Sequence, residues 1–582
     1  LQGDRFRFSN VAGSLGRSSI EGAGTLRLAE RIAGSEFSVA ASGPAFEELT
    51  AHIPQFDPQP GTFDLSGGLA FGADRIRFTG VKLTRARGAL TADVTLGLVE
   101  SAGLVDFDVD ARGPSLRSIV TSIGDFELLD APFRVATRGV LRDRRMALAR
   151  FDVEVGDAKV EAGGELDLRL GGQSTDFSID LNVPSLARLG SLKQRRLREQ
   201  ALAIRARVRG DGNALRADDI DILLGDSDIR GSLQLQKGDV PSVSLELQSD
   251  LIRLAPLLEE SDVEYEKAPK FDDGRVIPDV EVPFDAMRKL NASIALDVGE
   301  LHQDSSLLRD IALRVQLQDG GLYLEQVGFR AGNGWLAARG ALEPADGAGR
   351  ATLALKADDL AFSFIGLKVG PETRTDIDIN IEASGSDLRT LAADANGVLF
   401  LDGRNFTGER NAVLQRFYGD MLNEILETIN PFSKSDPEAR VSCIVLPIEI
   451  KNGALGVNPE ALLQTNRLSI VSDASINLKS EKLEMTFRTT PRKGLTISAG
   501  EILNPFVMVV GTLAAPRLAV DAKGGLISGG AAVATGGLSI LARATWERLV
   551  RSKNPCDTVS QQGKEKLQDR FAEFTAPPLT PQ

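Results

Sequence analysis

The feature that most constrains the fold of this chain is an internal repeat with a period of 70 residues. Residues 4–11 match residues 74–81, and an apolar motif led by proline recurs with the same spacing at Pro44, Pro114 and Pro184. A fixed period of this kind is typical of an array built from one supersecondary unit. The proline of each motif suits the first position of a short helical turn between strands.

A third feature follows the same spacing and then breaks it. A Gly-x-Leu strand motif begins at Gly24, Gly164, Gly231 and Gly340, and Val94 occupies the equivalent position of the second copy. The last step is longer than the others because residues 259–286, which are acidic and contain three prolines, lie between the last two copies. Proline cannot donate to a central strand ladder, so this segment is interpreted as an exposed insertion or linker.

Strict alternation of apolar and polar residues is the dominant local pattern, and it predicts strands with one apolar and one polar face. Parallel sheets that are covered on both faces show continuous apolar runs instead, so the pattern favours an antiparallel sheet. The candidate lining positions of the apolar face are Val105, Phe107, Val109, Leu166, Leu168, Leu170, Ile179, Leu181, Ile311, Leu313, Val315, Leu317, Ile377, Ile379 and Ile381.

The predicted fold class is all-β: a long, curved antiparallel sheet with an aliphatic inner face, short connecting helices and one or two helices near the C-terminus. At roughly 13 residues per strand the chain would form on the order of 40 strands, and open sheets seldom exceed about 10 without curling or splitting. A two-sheet sandwich is the alternative arrangement. A curled trough lined by aliphatic side chains would suit acyl chains, although any single lining residue can equally be ordinary core.

Composition argues against several classes of function. The 67 basic and 81 acidic residues give a net charge of −14, which disfavours nucleic acid as a partner. The chain has two histidines and two cysteines, all far apart in sequence, which disfavours a zinc site or a histidine-based triad. We therefore predict no catalytic residues, no metal site and no cofactor, and expect a protein that is not an enzyme.

Helices are a minority. Residues 411–430 have apolar positions at helical spacing and end before Pro431, so they predict one long helix. Residues 524–542 carry no charge but are rich in glycine, which favours a helix on the sheet or at a membrane surface over a spanning helix. The tail from Ser552 is polar and is expected to be loose. The sequence opens within a repeat, and we expect that residues upstream of Leu1 have been removed.

A set of short motifs in the second half of the chain resembles one known family. The motifs are FDDG at 271–274, DGGLYL at 319–324, GNG at 332–334, RGAL at 339–342, SGS at 384–386, VSCIV at 441–445, NGAL at 452–455, GTL at 511–513 and NPC at 554–556. Together they resemble the C-terminal region of the AsmA family of bacterial envelope proteins. The repeats, the proline-containing insertion and this resemblance together divide the chain into four regions. They are β repeats at 1–258, the insertion at 259–287, an AsmA-like β-groove region with the helix 411–430 at 288–522, and a Gly/Ala-rich helical segment with a polar tail at 523–582.

The resemblance implies a function and a location. Members of the AsmA family are anchored in the inner membrane of Gram-negative bacteria by an N-terminal helix and extend into the periplasm, and we expect that such a helix precedes Leu1. They are implicated in carrying phospholipids between inner and outer membrane and so in outer-membrane biogenesis. The implied partners are phospholipid acyl chains, the two membranes and outer-membrane assembly proteins. A periplasmic location would also allow Cys443 and Cys556 to form a disulfide, the alternative being two unpaired thiols.

Two other functions remain open at this stage. The chain could be a scaffold that assembles outer-membrane β-proteins through exposed sheet edges, or a β-array of the adhesin kind. The basic stretch at 188–209 could contact anionic head groups at the rim of the groove, or it could be a solvated loop followed by the polar face of a strand.

Overall fold

The computed structural model describes residues 5–28, 32–46, 61–85, 88–98, 103–116, 122–123, 126–128, 130–167, 175–192, 195–254, 274–303, 306–345, 348–361, 372–406, 441–457, 460–466, 468–491, 506–519, 552 and 554–577. The chain divides into two compact units, unit 1 at 1–264 and unit 2 at 265–582. Both are built from antiparallel strands, and the predicted all-β antiparallel fold class is confirmed.

Unit 1 contains a main sheet in which neighbouring strands follow one another along the chain. Its strands are β1 (Arg5–Leu15), β2 (Ser18–Arg27), β3 (Ser35–Gly43), β4 (Phe63–Phe71), β5 (Arg75–Arg85), β6 (Gly88–Gly97), β7 (Val105–Gly113), β10 (Phe133–Arg142), β11 (Arg145–Val155), β12 (Ala158–Asp167), β13 (Thr175–Val183), β16 (Leu202–Gly210), β17 (Ala214–Leu224), β18 (Ser227–Gln236) and β19 (Ser242–Arg253). A small second sheet is formed by β8 (Ser122–Ile123), β9 (Phe126–Leu128), β14 (Gly190–Leu192) and β15 (Arg195–Arg196).

The 70-residue period of the sequence corresponds to four strands of the main sheet. The first strands of successive repeats are β1, β5, β11 and β17, which start at residues 5, 75, 145 and 214. Each of these strands shifts register against the next one at the same place in the repeat, after Phe8, Phe78, Leu148 and Ala217. Such bulges bend a strand and increase its twist.

The proline-led motifs lie after the third strand of each repeat, where their apolar residues cover the strand ends. In the third copy, Leu186 begins a short 3₁₀ helix (Leu186–Arg188) and packs into a buried cluster with Val183. In the first copy, the ring of Phe46 lies 5.5 Å from the ring of Phe63, between centroids, and both are buried. The motif therefore closes one end of the apolar face in each of these repeats.

Unit 2 is also built from antiparallel strands, with three α-helices among its described residues. Its strands are β20 (Asn291–Gln303), β21 (Ser306–Gln318), β22 (Gly321–Ala331), β23 (Gly334–Ala345), β24 (Ala348–Leu360), β25 (Arg374–Gly385), β26 (Asn396–Phe406), β27 (Val441–Lys451), β28 (Ala454–Val457), β29 (Ala461–Thr465), β30 (Leu468–Asn477), β31 (Lys482–Pro491), β32 (Phe506–Thr512) and β33 (Ala515–Ala519). Its helices are α1 (Phe284–Met287), α2 (Leu388–Asp394) and α3 (Pro555–Leu567), followed by a 3₁₀ turn (Gln568–Arg570).

The described part of the proline-containing segment, 274–287, runs along the hairpin ends of unit 2. The buried carboxylate of Glu481, in the turn between β30 and β31, accepts hydrogen bonds from the backbone N–H groups of Val276 (2.8 Å) and Ile277 (3.1 Å). Further along, the N–H of Val282 donates to the carbonyl of Ser386 at 3.0 Å. These backbone contacts hold the segment against strand ends that are distant in sequence.

The expectation of a loose tail after Ser552 is wrong. Residues 555–567 form helix α3, which begins at Pro555, a residue suited to the first helical turn. Its buried side follows the spacing of one helical face, at Cys556, Val559, Ser560, Gly563 and Leu567. The low hydrophobicity of the segment concealed this helix, because only three of its five buried positions are apolar side chains.

Several expectations fall on residues outside the described ranges. They are the long helix at 411–430, the glycine-rich segment at 524–542 and the candidate lining residues Leu168 and Leu170. Among the residues that the structure describes, none of the helices has the length and apolar character needed to cross a membrane.

Candidate functional site

The candidate site of unit 1 is the apolar face of its main sheet. The strand registers bring one residue from every strand of that sheet into a single cross-strand row, which we call the unit 1 row. Its members are Phe8, Gly24, Phe37, Leu69, Phe78, Val94, Phe107, Gly139, Leu148, Gly164, Phe177, Val208, Ala217, Leu233 and Leu245. None of them is ionisable, so the row is a strip of aromatic, aliphatic and glycine positions.

The glycines of this row explain the first and third copies of the Gly-x-Leu motif, at Gly24 and Gly164. Gly164 in β12 faces Phe177 in β13, and Gly24 in β2 faces Phe37 in β3. A Cβ atom on Gly164 would lie 2.0 Å from the carbonyl oxygen of Asp176, and the φ angle there is +113°. Only glycine is free of strain in this conformation. The neighbouring strand backbone approaches so closely because this position lacks a side chain.

The described candidate residues of unit 1 lie on this same face. Val105 and Val109 flank Phe107 of the row in β7, at alternate positions of one strand, and all three are half-buried. The remaining described candidates lie on the same face because their partners on the neighbouring strands are apolar residues of that face. The cross-strand pairs are Leu166 with Met146, Ile179 with Ala162 and Leu181 with Val160. The alternation in the sequence thus places these side chains together.

The candidate residues of unit 2 also share one face. Two cross-strand rows, the unit 2 rows, run from β21 to β27. The first contains Leu313, Val327, Ala338, Leu355, Ile379, Leu399 and Ile448, and the second contains Val315, Leu324, Gly340, Leu353, Ile381, Gly397 and Ile450. The other candidates extend this face: Ile311 faces Val298, Leu317 faces Leu322 and Ile377 faces Leu401.

The unit 2 rows are apolar, free of ionisable side chains and partly open to solvent. Leu353 is 41% exposed and Leu322, at the edge of the same face, is 39% exposed, although both are large hydrophobic side chains. Contiguous exposed apolar surface is uncommon in soluble proteins and marks sites of interaction. The face can therefore hold an apolar ligand, but its side chains provide no charge for binding a polar one.

The opposite face of unit 1 carries the charges, and they are paired across strands. The carboxylate of Asp108 accepts a hydrogen bond from Nε of Arg138 at 2.8 Å. Arg207 donates two hydrogen bonds to Asp176, both at 2.7 Å, and they lower the pKa of the Asp176 carboxyl from its ordinary value. Asp106 and Asp110 point to the same side as Asp108 and are exposed. This arrangement is a solvated polar face.

The basic stretch at 188–209 belongs partly to this ion-pair pattern. Arg188 donates to Asp157 at 2.9 Å, Arg205 donates to Asp180 at 3.0 Å, and Arg209 donates to Asp218 at 3.2 Å. Because each of these guanidinium groups already has a carboxylate partner, the geometry favours the polar face of a strand over a dedicated site for an anion.

In unit 2 the C-terminal helix covers part of the polar side of the sheet, and sequence reasoning missed this packing. Cys443 in β27 and Cys556 in α3 are joined by a disulfide, with their Cα atoms 6.2 Å apart. They belong to a buried cluster that also contains Val398, Phe400 and Val445. The side chains of this cluster alternate with the unit 2 rows along β26 and β27. Strand β26 is therefore apolar on both faces. In the sequence this appears only as a continuous apolar run at 398–401, which does not reveal what covers the second face.

Polar contacts also hold α3 in place. The Ser560 hydroxyl donates to the carboxylate of Asp402 at 2.5 Å, and Arg404 bridges Asp402 to Asp557 of the helix. Lys564 donates to Asp376 at 3.1 Å. All these groups lie on the side of the sheet opposite the unit 2 rows.

The 3₁₀ turn and the residues after it continue the covering layer beyond α3. Arg570 donates to Glu449 at 2.6 Å and to the carbonyl of Gly397 at 3.0 Å. Arg330 donates to the carbonyl of Pro577 at 2.8 Å. The covering segment therefore reaches from β27 to β22.

Asp378 illustrates the effect of this covering layer. The alternation of β25 assigned it to the solvated face, yet it is only 7% exposed. Burial raises the pKa of its carboxyl, against the lowering effect of Lys356 and Lys564. The Nζ of Lys356 lies 3.6 Å from an oxygen of Asp378.

Within the described ranges, no group of three or more His, Cys, Asp or Glu side chains is arranged to hold a metal ion. No protein-family model, no curated protein and no solved structure matches this chain.

Proposed function

We propose that this chain is a non-enzymatic protein of the AsmA type that binds phospholipid acyl chains along its apolar faces and carries phospholipids between the inner and outer membranes. The observation that carries the proposal is the unit 2 rows: fourteen facing positions on seven adjacent strands, all apolar and none ionisable.

Elementary energetics supports acyl chains as the ligand. Each methylene group that leaves water contributes about 0.8 kcal/mol. A strip of similar aliphatic side chains offers nearly the same environment at successive positions, so a chain can move along it without a deep local minimum. A phosphate head group would find no charged partner in the rows and would remain in solvent.

The disulfide supports a location in the cell envelope. Structural disulfides persist in oxidising compartments such as the bacterial periplasm and are rare in the cytosol. The Cys443–Cys556 bond is buried at the centre of the cluster under α3. We include in the proposal a periplasmic position next to the inner membrane, with outer-membrane biogenesis as the process served.

A matched pair of substitutions on one strand tests the proposal. Leu353 lies in a unit 2 row, its neighbour Thr352 lies on the polar face, and both are exposed, so an aspartate at either position can be solvated. The purified chain is incubated with vesicles of phosphatidylethanolamine and phosphatidylglycerol, re-isolated and analysed for bound phospholipid. Leu353→Asp is expected to reduce bound phospholipid several-fold, and Thr352→Asp is expected to leave it unchanged. Equal binding by both variants and the unsubstituted chain would contradict the proposal and favour the scaffold alternative.

A further inference from the structure

The apolar face of unit 1 contains a recess in its first repeat. The recess has a volume of about 470 Å³ and lies over β1 to β4. Its apolar lining side chains are Phe8, Val11, Ile20, Phe37, Val39 and Leu69. Phe8 and Val11 are 38% and 53% exposed, so the recess is open to solvent on one side.

Glycine at two lining positions creates this space. Gly13 faces Ile20 across β1 and β2. At the same place in the later repeats the pairs are Leu83 with Leu90, Val153 with Val160 and Ile222 with Ile229. The first repeat thus has no side chain where each of the other three has a branched aliphatic one.

The second lining glycine is Gly22, which faces Val11. The equivalent residues of the next two repeats are Ala92 and Ala162. A Cβ atom on Gly13 would have no heavy atom within 4 Å, and one on Gly22 would meet only the carbonyl oxygen of Ser38, at 3.6 Å. Neither glycine has the positive φ angle that excludes other residues, in contrast to Gly164. The backbone therefore does not require glycine at these positions. Because both residues lack a side chain, the space above them in the recess stays open.

We infer that this recess is a seat for the terminal part of a phospholipid acyl chain, where a chain bound along the apolar face is held more firmly than elsewhere. This inference rests on the proposed function and adds a specific site to it. The six lining side chains are aromatic or aliphatic. Ser14 and Glu21, which border the recess, occupy the strand positions that alternate onto the polar face. An apolar chain end fits this lining, and a head group would lack polar partners.

The test uses a phosphatidylethanolamine with a diazirine at the end of one acyl chain, presented to the whole chain in phosphatidylethanolamine and phosphatidylglycerol vesicles. After irradiation, labelled peptides are mapped by mass spectrometry in two places: β3, which contains Phe37 and Val39, and β25, which contains Ile379. In the unsubstituted chain, labelling is expected in both strands and is expected to be stronger in β3.

Gly13→Leu fills the recess with the side chain that the second repeat carries. We expect labelling of β3 to fall at least fivefold while labelling of β25 is unchanged. Gly22→Val is a second filling variant. Ser66→Leu, on the polar face of β4, adds the same bulk outside the recess and is expected to leave both labels unchanged. Thermal unfolding followed by circular dichroism verifies that each variant is folded.

The labelling pattern distinguishes failure of the seat from failure of the proposed function. If β25 is labelled but β3 is not, or if both filling variants leave the β3 label unchanged, the seat is absent and the apolar face remains a lipid site. If neither strand is labelled in the unsubstituted chain, the proposed function itself is wrong.

Discussion

Cys443 in β27 is bonded to Cys556 in the first turn of α3, across 113 positions of sequence. The bond joins the sheet of unit 2 to a helix whose other contacts are a small apolar cluster and a few ion pairs. In the chain-entropy description, closing a loop of this length stabilises the folded state by about 4–5 kcal/mol.

The first prediction follows from that bond. In the double variant Cys443→Ala/Cys556→Ala, the free energy of unfolding is expected to fall by about 4–5 kcal/mol, and the helix is expected to open locally far more often because nothing covalent then holds it to β27. Hydrogen exchange monitored by mass spectrometry measures this directly, as faster exchange of the amides of 555–567. Strands of unit 1 serve as the internal control. Unchanged exchange in the helix would show that its packing does not depend on the disulfide.

The second prediction concerns the buried hydrogen bond between Ser560 and Asp402. Removing the hydroxyl takes away one of two donors to a buried carboxylate oxygen and leaves Arg404 as the other, so Ser560→Ala is expected to cost about 1–3 kcal/mol, the range for a hydrogen bond to a charged group. Chemical denaturation of the whole chain, together with hydrogen exchange of α3, measures the loss. The matched control is Gln561→Ala, on the exposed side of the same helix. If both substitutions have the same small effect, the hydrogen bond does not hold the helix.

The third prediction is a pH dependence caused by Asp378. Burial raises the pKa of its carboxyl in the folded chain, so the folded state binds a proton there more readily than the unfolded state. Above its raised folded-state pKa, ionised Asp378 therefore lowers the free energy of unfolding. This loss of stability disappears as the pH falls toward about 3.9, the ordinary pKa of an aspartate in the unfolded chain. Asp378→Asn is expected to stabilise the chain at neutral pH, with an advantage that shrinks on acidification.

Denaturation curves of Asp378→Asn and the unsubstituted chain between pH 4 and 8 measure this effect. Glu382→Gln is the control, because Glu382 lies two residues further along β25 and is exposed. A stability difference for Asp378→Asn that stays constant over the whole range, or that grows toward low pH, would contradict the assignment.

The fourth prediction compares two glycines of the unit 1 apolar face. At Gly164 the backbone has φ +113° and a Cβ atom would clash with the carbonyl of Asp176, whereas a Cβ atom at Gly13 meets open space. Gly164→Ala is expected to destabilise the chain by about 1–3 kcal/mol because of backbone strain. Gly13→Ala is expected to be neutral or to stabilise by up to about 1 kcal/mol, because alanine loses less entropy on folding. Thermal unfolding of both variants decides between these outcomes.

Much of the fold was predictable because alternation has a direct structural meaning in a sheet with one polar face. The positions of Phe107 and Ile379 on the apolar face follow from period-two spacing alone. The packing of α3 was not predictable in this way, since a helix with three buried apolar residues has little signal in sequence. Asp378 is buried on the side of β25 where Lys564 contacts Asp376 and Arg570 contacts Asn380, and the alternation of β25 alone could not reveal these contacts.

The recess at Gly13 was missed for a different reason. A glycine in a strand usually indicates a bulge or a close approach of backbone, as at Gly164. Only the structure shows that Gly13 has neither, and that the missing side chain leaves space. The sequence does show glycine at position 13 where the next repeat has Leu83. That difference indicates a recess only when it is known which face of the sheet each residue occupies.

Site-specific photo-crosslinking to phospholipid shows directly which face of the sheet contacts lipid. Photoreactive residues are placed on the apolar face at Phe107, Val315 and Ile379, and on the polar face at Asp108, Arg314 and Glu382. Glu382 serves in β25 because Asp378 is buried. Lipid binding on the apolar face predicts adducts at the first three positions and few or none at the others. Adducts at equal yield on both faces, or none on the apolar face, would contradict it.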